Sequence, residues 1–261
     1  MHDNPFQSPA SLEYQPPNPT WRVPWGKILF GLAILAVLVF LILPFGRGRG
    51  VRSAALRNSC RNNLRQIGLA LEQYVKDHGS YPPAYTVNAN GKPLHSWRTL
   101  LLPYLEEEAL YKKIDLTKPW DDPVNAAAFK TVVRAFECPS ATFDTEMQRT
   151  TYLAVVSPQS CLRGGKSATK QEITDGLDKT VVVIEVPENK AVLWMSPQDA
   201  DEATFVDFMR ETNAPPNPEH TPRWTHQGGI GHLLFADGHI EDLVSTDKTA
   251  TERRAMITGG D

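Results

Sequence analysis

Cysteine is scarce, with three in 261 residues. That excludes a disulfide-dense scaffold, and no pair has the C-x-x-C spacing of a metal knuckle. Charge of either sign is nearly balanced, at a formal −3, so no global field points to nucleic acid as a partner. There is no Gly-x-Ser-x-Gly, no His-Glu-x-x-His, no phosphate-binding glycine loop and no internal repeat. A non-enzyme without cofactor or metal is expected on that ground. Proline, by contrast, is plentiful at 21 residues, which argues against a mostly helical body.

Long apolar runs are also missing, with one exception: "WGKILFGLAILAVLVFLILPFG", 25–46. From Ile28 to Phe45 it carries no charge. Eighteen helical residues cover about 27 Å, close to the hydrocarbon thickness, and Trp25 and Phe45 stand where interfacial aromatics belong. An uncleaved transmembrane helix over 25–46 is expected. The preceding 24 residues are long, proline-rich and weakly basic, and no small-x-small cleavage site follows. Arg47, Arg49, Arg52 and Arg57 lie after the run, and by the positive-inside rule they favour a cytoplasmic body.

Residues 1–24 carry six prolines and little apolar content, so a disordered tail is expected. After the glycine-arginine break at 46–50, Leu56, Cys60, Leu64, Ile67, Leu71 and Tyr74 step by fours and threes. That spacing predicts an amphipathic stalk helix within 47–80, closed by Gly79 and Pro82. The body, 81–248, reads as an interrupted helix over 96–114 and strands at 132–139, 150–156, 180–187, 191–196, 231–236 and 239–244. Residues 213–222 read as a loop and 249–261 as a tail. A helix followed by antiparallel strands is an α+β arrangement.

"HQGGIGHLLFADGHIEDL", 226–243, crowds three histidines and three acids into one stretch. Asp237-Gly238 between apolar runs is a hairpin signal. A two-residue turn there pairs Ala236 with His239, Leu234 with Glu241 and His232 with Leu243. It buries Leu233, Phe235 and Ile240. His232 and His239 then lie about 13 Å apart along the ladder, whereas two ligands of one zinc need about 4 Å. A hairpin is expected rather than a metal site.

Several segments taken in order resemble one family: "CRNNLRQIGLALEQY" (60–74), "SYPPAY" (80–85), "SWRTLLLPYLEEEALY" (96–111), "PWDDP" (119–123), "FECPS" (136–140), "TYLAVV" (151–156), "ITDGLDKTVVVIEV" (173–186), "VLWMSPQD" (192–199) and "FADGHIEDL" (235–243). Together they resemble the planctomycete prepilin-like family called domain of unknown function 1559. The resemblance implies a pilin-like fold, in which an N-terminal transmembrane helix and an amphipathic stalk helix pack on an antiparallel β-sheet. The family's C-terminal H-x(9)-DG motif falls on His226, Asp237 and Gly238, with ten intervening residues instead of nine. The prepilin processing stretch is missing, since "GKILFGLA" has no glutamate in the required place. Cys60 and Cys138 both stand where the family pattern has cysteine. If the helix packs on the sheet they are candidates for a disulfide worth about 2–4 kcal/mol; two buried thiols are the alternative. The pilin resemblance and these cysteines place the body outside the cytoplasm, against the arginines.

Three further readings follow from the residues. Cys161, in "SPQSCLRGG", is expected to be an exposed or loop thiol. Asp121 and Asp122, near Asp115, read as a proline-framed turn rather than a calcium loop. Glu185 ends an apolar run and needs a buried partner such as an arginine. The expected function is a non-catalytic, pilin- or pseudopilin-like structural or interaction protein of a secretion-like or cell-surface assembly. Its expected place is the cytoplasmic membrane, single-pass, with other pilin-like subunits as partners. The alternative is a tethered solute- or glycan-binding module using Trp97, Trp120, Trp194 and Trp224.

Overall fold

The computed structural model describes residues 24–42, 48–139, 141, 148–211, 231–243 and 256. The tail over 1–24 apart from Pro24, the 213–222 loop, His226, Trp224 and the 249–261 tail apart from Met256 lie outside them.

Among the described residues no helix is long and apolar enough to cross a membrane, which corrects the transmembrane helix expected over 25–46. The helix there, α1 (Trp25–Ile42), has 18 residues. Its first turn carries Lys27. Residues 43–46 of the expected span lie outside the described residues. This helix belongs to a unit of its own, 1–48, separate from 49–261.

The second unit starts with α2 (Gly48–His78). The helix runs through Gly48-Arg49-Gly50, so the glycine-arginine stretch does not wholly break it as expected. It ends at Gly79, whose φ of +75° and bond from its N–H to the Val75 carbonyl make the expected C-terminal cap. Then come β1 (Tyr85–Val87), β2 (Pro93–Ser96), α3 (Trp97–Leu100), α4 (Glu108–Tyr111) and α5 (Ala126–Phe129). A 3-10 turn over Leu102–Leu105, with Pro103 in its first turn, separates α3 from α4; this is the interruption expected near Pro103. The strands β3 (Arg149–Thr150), β4 (Tyr152–Val156), β5 (Leu162–Arg163), β6 (Lys166–Ser167), β7 (Val181–Glu185), β8 (Val192–Leu193) and β9 (Ala200–Asp201) follow. The chain closes with α6 (Glu202–Glu211), β10 (Gly231–Phe235) and β11 (Ile240–Leu243).

The principal sheet has the order β11-β10-β7-β4-β5-β6, with β9 also paired to β4. β11, β10, β7 and β4 are mutually antiparallel. β5 and β9 join β4 in parallel. The α+β class therefore holds, but the sheet is mixed where an antiparallel one was expected. β4 reaches its parallel neighbour β5 through the short 157–161 turn, and β9 through a segment that carries β5 to β8. The strand expected over 132–139 is a 3-10 turn at Arg134–Phe136.

Both faces of the central sheet are buried. On one face the predicted stripe of α2 descends onto it: Cys60, Leu64, Ile67 and Leu71 are buried beside Tyr152, Ala154, Val183 and Leu234. The other face, carried by Leu153, Val155, Ile184, Leu233 and Phe235, is covered by Phe205 of α6 and by Met256. Met256 also accepts a hydrogen bond from the Val181 N–H. The ladder slips at Val182, which has no partner between Leu234↔Val183 and Phe235↔Val181. Such a bulge lets Val182 and Val183 both join the helix-side core. The helix approaches closely at Gly68, where an added Cβ would stand 3.1 Å from a Leu234 methyl.

A buried ion pair ties the 97–101 turn to the sheet. The Arg98 guanidinium lies 2.6 Å from Asp199 Oδ1 and donates twice to the Tyr152 carbonyl. Asp199 also accepts from Trp97 Nε1 and from the Ala154 N–H. Burial pushes the Asp199 carboxyl up to about 6 against the pull of Arg98.

Asp199→Asn leaves the Arg98 charge buried without its counterion. It is expected to cost about 3–5 kcal/mol in denaturant unfolding; a loss below about 1 kcal/mol would show that the pair does not hold the turn. Because the folded carboxyl titrates above its unfolded value near 4, the wild-type stability contributed by protonated Asp199 should fall as pH rises from about 4 through about 6, and the Asn variant should lack that slope. Gly68→Val should cost about 1–3 kcal/mol through overpacking against Leu234, read by the same unfolding curves.

Candidate functional site: a buried thiol, carboxylate and imidazole cluster

The hairpin that carries the three histidines has a different turn from the one expected. Observed partners are Leu234↔Ile240, Leu233↔Glu241, His232↔Asp242 and Gly231↔Leu243. The Phe235 N–H bonds to the His239 carbonyl and Gly238 adopts φ +91°. The loop is therefore three residues, Ala236-Asp237-Gly238, with the glycine in the left-handed position that such loops use. The one-residue shift corrects the expected register. It also means that both faces of β10 are buried, where one was expected, and that His232 and His239 lie on opposite faces. His239 stacks on Phe235, with centroids 4.2 Å apart, and bonds to Asp237 through Nδ1 at 2.6 Å. Asp237 and Gly238 thus build the turn.

His232 points the other way, toward the helix side. Since Leu233 is opposite Ile184, the antiparallel register sets His232 beside Glu185. Its Nδ1 is 2.5 Å from Glu185 Oε2, and both side chains are almost wholly buried. The other Glu185 oxygen accepts from the Cys138 thiol at 3.1 Å. Cys60, descending from α2, completes the group: potential ligand atoms of Cys60, Cys138 and Glu185 all lie within 4.8 Å of one another. Behind the histidine, Nε2 is 3.5 Å from Asp242 Oδ1. Arg61, next to Cys60 on α2, donates to that same oxygen and to the Ile240 carbonyl.

Each residue is placed by a different element. The stripe of α2 delivers Cys60. The 3-10 turn at Arg134–Phe136 carries Cys138 inward, and Asn63 of α2 clamps it by donating to the Glu137 carbonyl at 2.6 Å. Alternation along β7 and β10 turns Glu185 and His232 to the helix side. Tyr152 of β4 reaches the Cys60 carbonyl with its hydroxyl. Burial first, then the Cys60 and Glu185 neighbours, push the Cys138 thiol far up. The cluster therefore holds a protonated thiol, which is a poor nucleophile.

Glu185 does have the buried partner that its position demanded, but the partners are His232 and Cys138 rather than an arginine. The candidate bridge residues Cys60 and Cys138 are neighbours, held in the structure as two buried thiols. Cys161 is not an exposed thiol. It is fully buried, and burial pushes it up to about 12. Asp122 caps the turn at Pro123 by accepting from the Val124 N–H, and Asp115 accepts from Thr117, in keeping with the turn reading. Of the tryptophans expected to serve a ligand, Trp97 and Trp194 are buried in the core and Trp120 is half-buried.

Sequence reasoning had weighed Glu185, the cysteines and the histidines separately. What would have joined them is the strand adjacency β7–β10, which local pattern does not carry.

Residues 49–169 match the family model described as "Protein of unknown function (DUF1559)". The matched stretch runs from the start of α2 to just past β6. The resemblance read from the segments thus holds at the level of the DUF1559 family over that stretch. No curated protein and no solved structure matches the chain.

Glu185→Gln keeps the shape but cannot accept from both the Cys138 thiol and His232 through two carboxylate oxygens. It is expected to lose about 1–3 kcal/mol of unfolding free energy and to speed the reaction of Cys138 with a thiol reagent in the folded state. An unchanged rate and stability would mean that the carboxylate does not hold the thiol.

Proposed function

We propose that this DUF1559 domain is a non-catalytic, pilin-like interaction module, a building or docking unit of a larger assembly. The observation that carries the reading is α2. It has 31 residues, about 46 Å at 1.5 Å each, and among its residues with described side chains, 54–78, buried ones begin at Cys60. Residues 54–59 are thus exposed or half-buried, while the C-terminal half lies on the sheet. A helix fixed to a sheet at one end and extended at the other is the stalk that a pilin-like subunit offers to its neighbours. The exposed face of α2 over 54–69 carries Ala55, Asn58, Asn62, Arg65, Gln66 and Leu69, and Leu69 is 56% exposed.

The solute- or glycan-binding alternative draws less support. Two clefts among the described residues hold about 210 and 290 Å³, below the usual range of small-molecule sites of about 300–1,000 Å³. The Trp97 and Trp194 rings are committed to the core.

A photo-crosslinking residue introduced at Asn58 or Leu69 of the full chain is expected to give a discrete adduct in cells, identified by mass spectrometry as a second pilin-like subunit or another copy of this chain. The same residue at Lys113, on the body, should give none. Equal, diffuse labelling at all three positions would overturn the reading. A thermal shift of several degrees with a single solute from a sugar and amino-acid panel would replace it with the binding-module alternative.

A further inference from the structure

The Cys60–Cys138–Glu185 group has the chemistry of a ligand set and lies apart from the exposed stalk face. Two thiols and a carboxylate occupy one volume at 0–2% exposure. They come from a helix, a turn and a strand far apart in the sequence. We propose that Cys60, Cys138 and Glu185 form a binding site for one thiophilic divalent cation of the zinc type.

The distances fit. Bonds of about 2.3 Å to sulfur and about 2.0 Å to oxygen place tetrahedral ligand atoms about 3.5–3.8 Å apart. The three candidate atoms already lie within 4.8 Å of one another, so closure onto a cation asks for about 1 Å of contraction at most. Two sulfur donors select a soft or borderline cation, and they exclude calcium and magnesium, which need oxygen cages. Binding replaces the thiol protons, so each cation taken up releases two protons to solvent.

The surroundings are those of a built site. Glu185 would offer Oε1 to the cation while Oε2 stays on His232, the outer partner that fixes a ligating carboxylate in place. Asp242 and Arg61 stand behind the histidine. Cys138 also lines the 210 Å³ cleft, together with Phe136, Gln148, Arg149 and Trp194. The cleft reaches the cluster through Cys138, the one of the three that lines it.

The test uses cobalt as the probe on the full chain, reduced and stripped with chelator. Titration is expected to give one thiolate-to-cobalt charge-transfer band saturating at one equivalent, with the visible bands of tetrahedral cobalt, both displaced by zinc. Cys60→Ser and Cys138→Ser should each abolish stoichiometric binding. His232→Asn should keep the band but weaken affinity about 10–100-fold. Cys161→Ser should leave band and affinity unchanged. X-ray absorption on the zinc-loaded wild-type chain, expected to read two sulfur neighbours, needs no variant to fold. The proposal is overturned if the folded, reduced chain gives no charge-transfer band or if the band survives both serine substitutions. Recovery of a Cys60–Cys138 disulfide from chain purified without reductant would overturn it as well, and would assign the pair to a covalent bridge.

Discussion

The close approach of α2 to β10 at Gly68 is the constraint on which the rest of the body depends. A side chain there would meet the Leu234 methyls, and its absence lets the helix lie flat on β7 and β10. Cys60 sits eight residues before Gly68, about two turns away and on the same face. Fixing Gly68 on Leu234 therefore fixes Cys60 over the far end of β7, where Glu185 stands. Arg61 and Asn63 pin that end with bonds to the Ile240 and Glu137 carbonyls. The apolar stripe provides adhesion, and these two polar contacts set the register along the helix axis.

Two buried polar nodes then adjoin Tyr152, whose carbonyl accepts from Arg98 and whose strand partner is Glu185. At Asp199 the charges are matched, and the guanidinium and carboxylate have partners in the Tyr152 carbonyl, the Trp97 indole and the Ala154 N–H. That node is closed and structural. At Glu185 the carboxylate is shared between a thiol and an imidazole, with a second thiol in reach and a cleft beside it. The difference lies in the donors: a guanidinium has no electron pair to give a cation, whereas two thiols and a carboxylate do. That is why the first node reads as architecture and the second as a place where something else can be held.

Much of the fold was legible locally. The stripe Cys60, Leu64, Ile67, Leu71 is a spacing, the cap at Gly79 is a residue type, and β4, β7, β10 and β11 are runs of apolar and β-branched residues. What local pattern could not supply was pairing. The parallel joins of β5 and β9 to β4 depend on how a turn-rich segment folds back. The hairpin register hung on whether the loop takes two residues or three, since Asp-Gly fits both, and one residue decided whether His232 faced Leu243 or Asp242. Glu185 was rightly marked as needing a partner, but naming it required knowing that β10 lies beside β7. Cys161 does lie in a loop, one residue before β5, but local sequence does not show that this loop is buried. The apolar run at 25–46 was read on composition alone, and composition does not settle whether a helix crosses a membrane.

The strand order has a consequence for synthesis. β7 is complete at residue 185, and one of its edges is taken by β4. The other edge, with its N–H and C=O groups and the apolar residues on both faces, waits for β10, which begins at residue 231. Until the ribosome has released those residues, the middle of the future sheet is an open edge, and the stripe of α2 has only part of its floor. An open apolar edge is the feature that pairs with the wrong partner. The nascent chain therefore passes through a long interval in which it needs shielding, and this sheet is completed only once residues 231–243 have emerged and β10 has closed the free edge of β7.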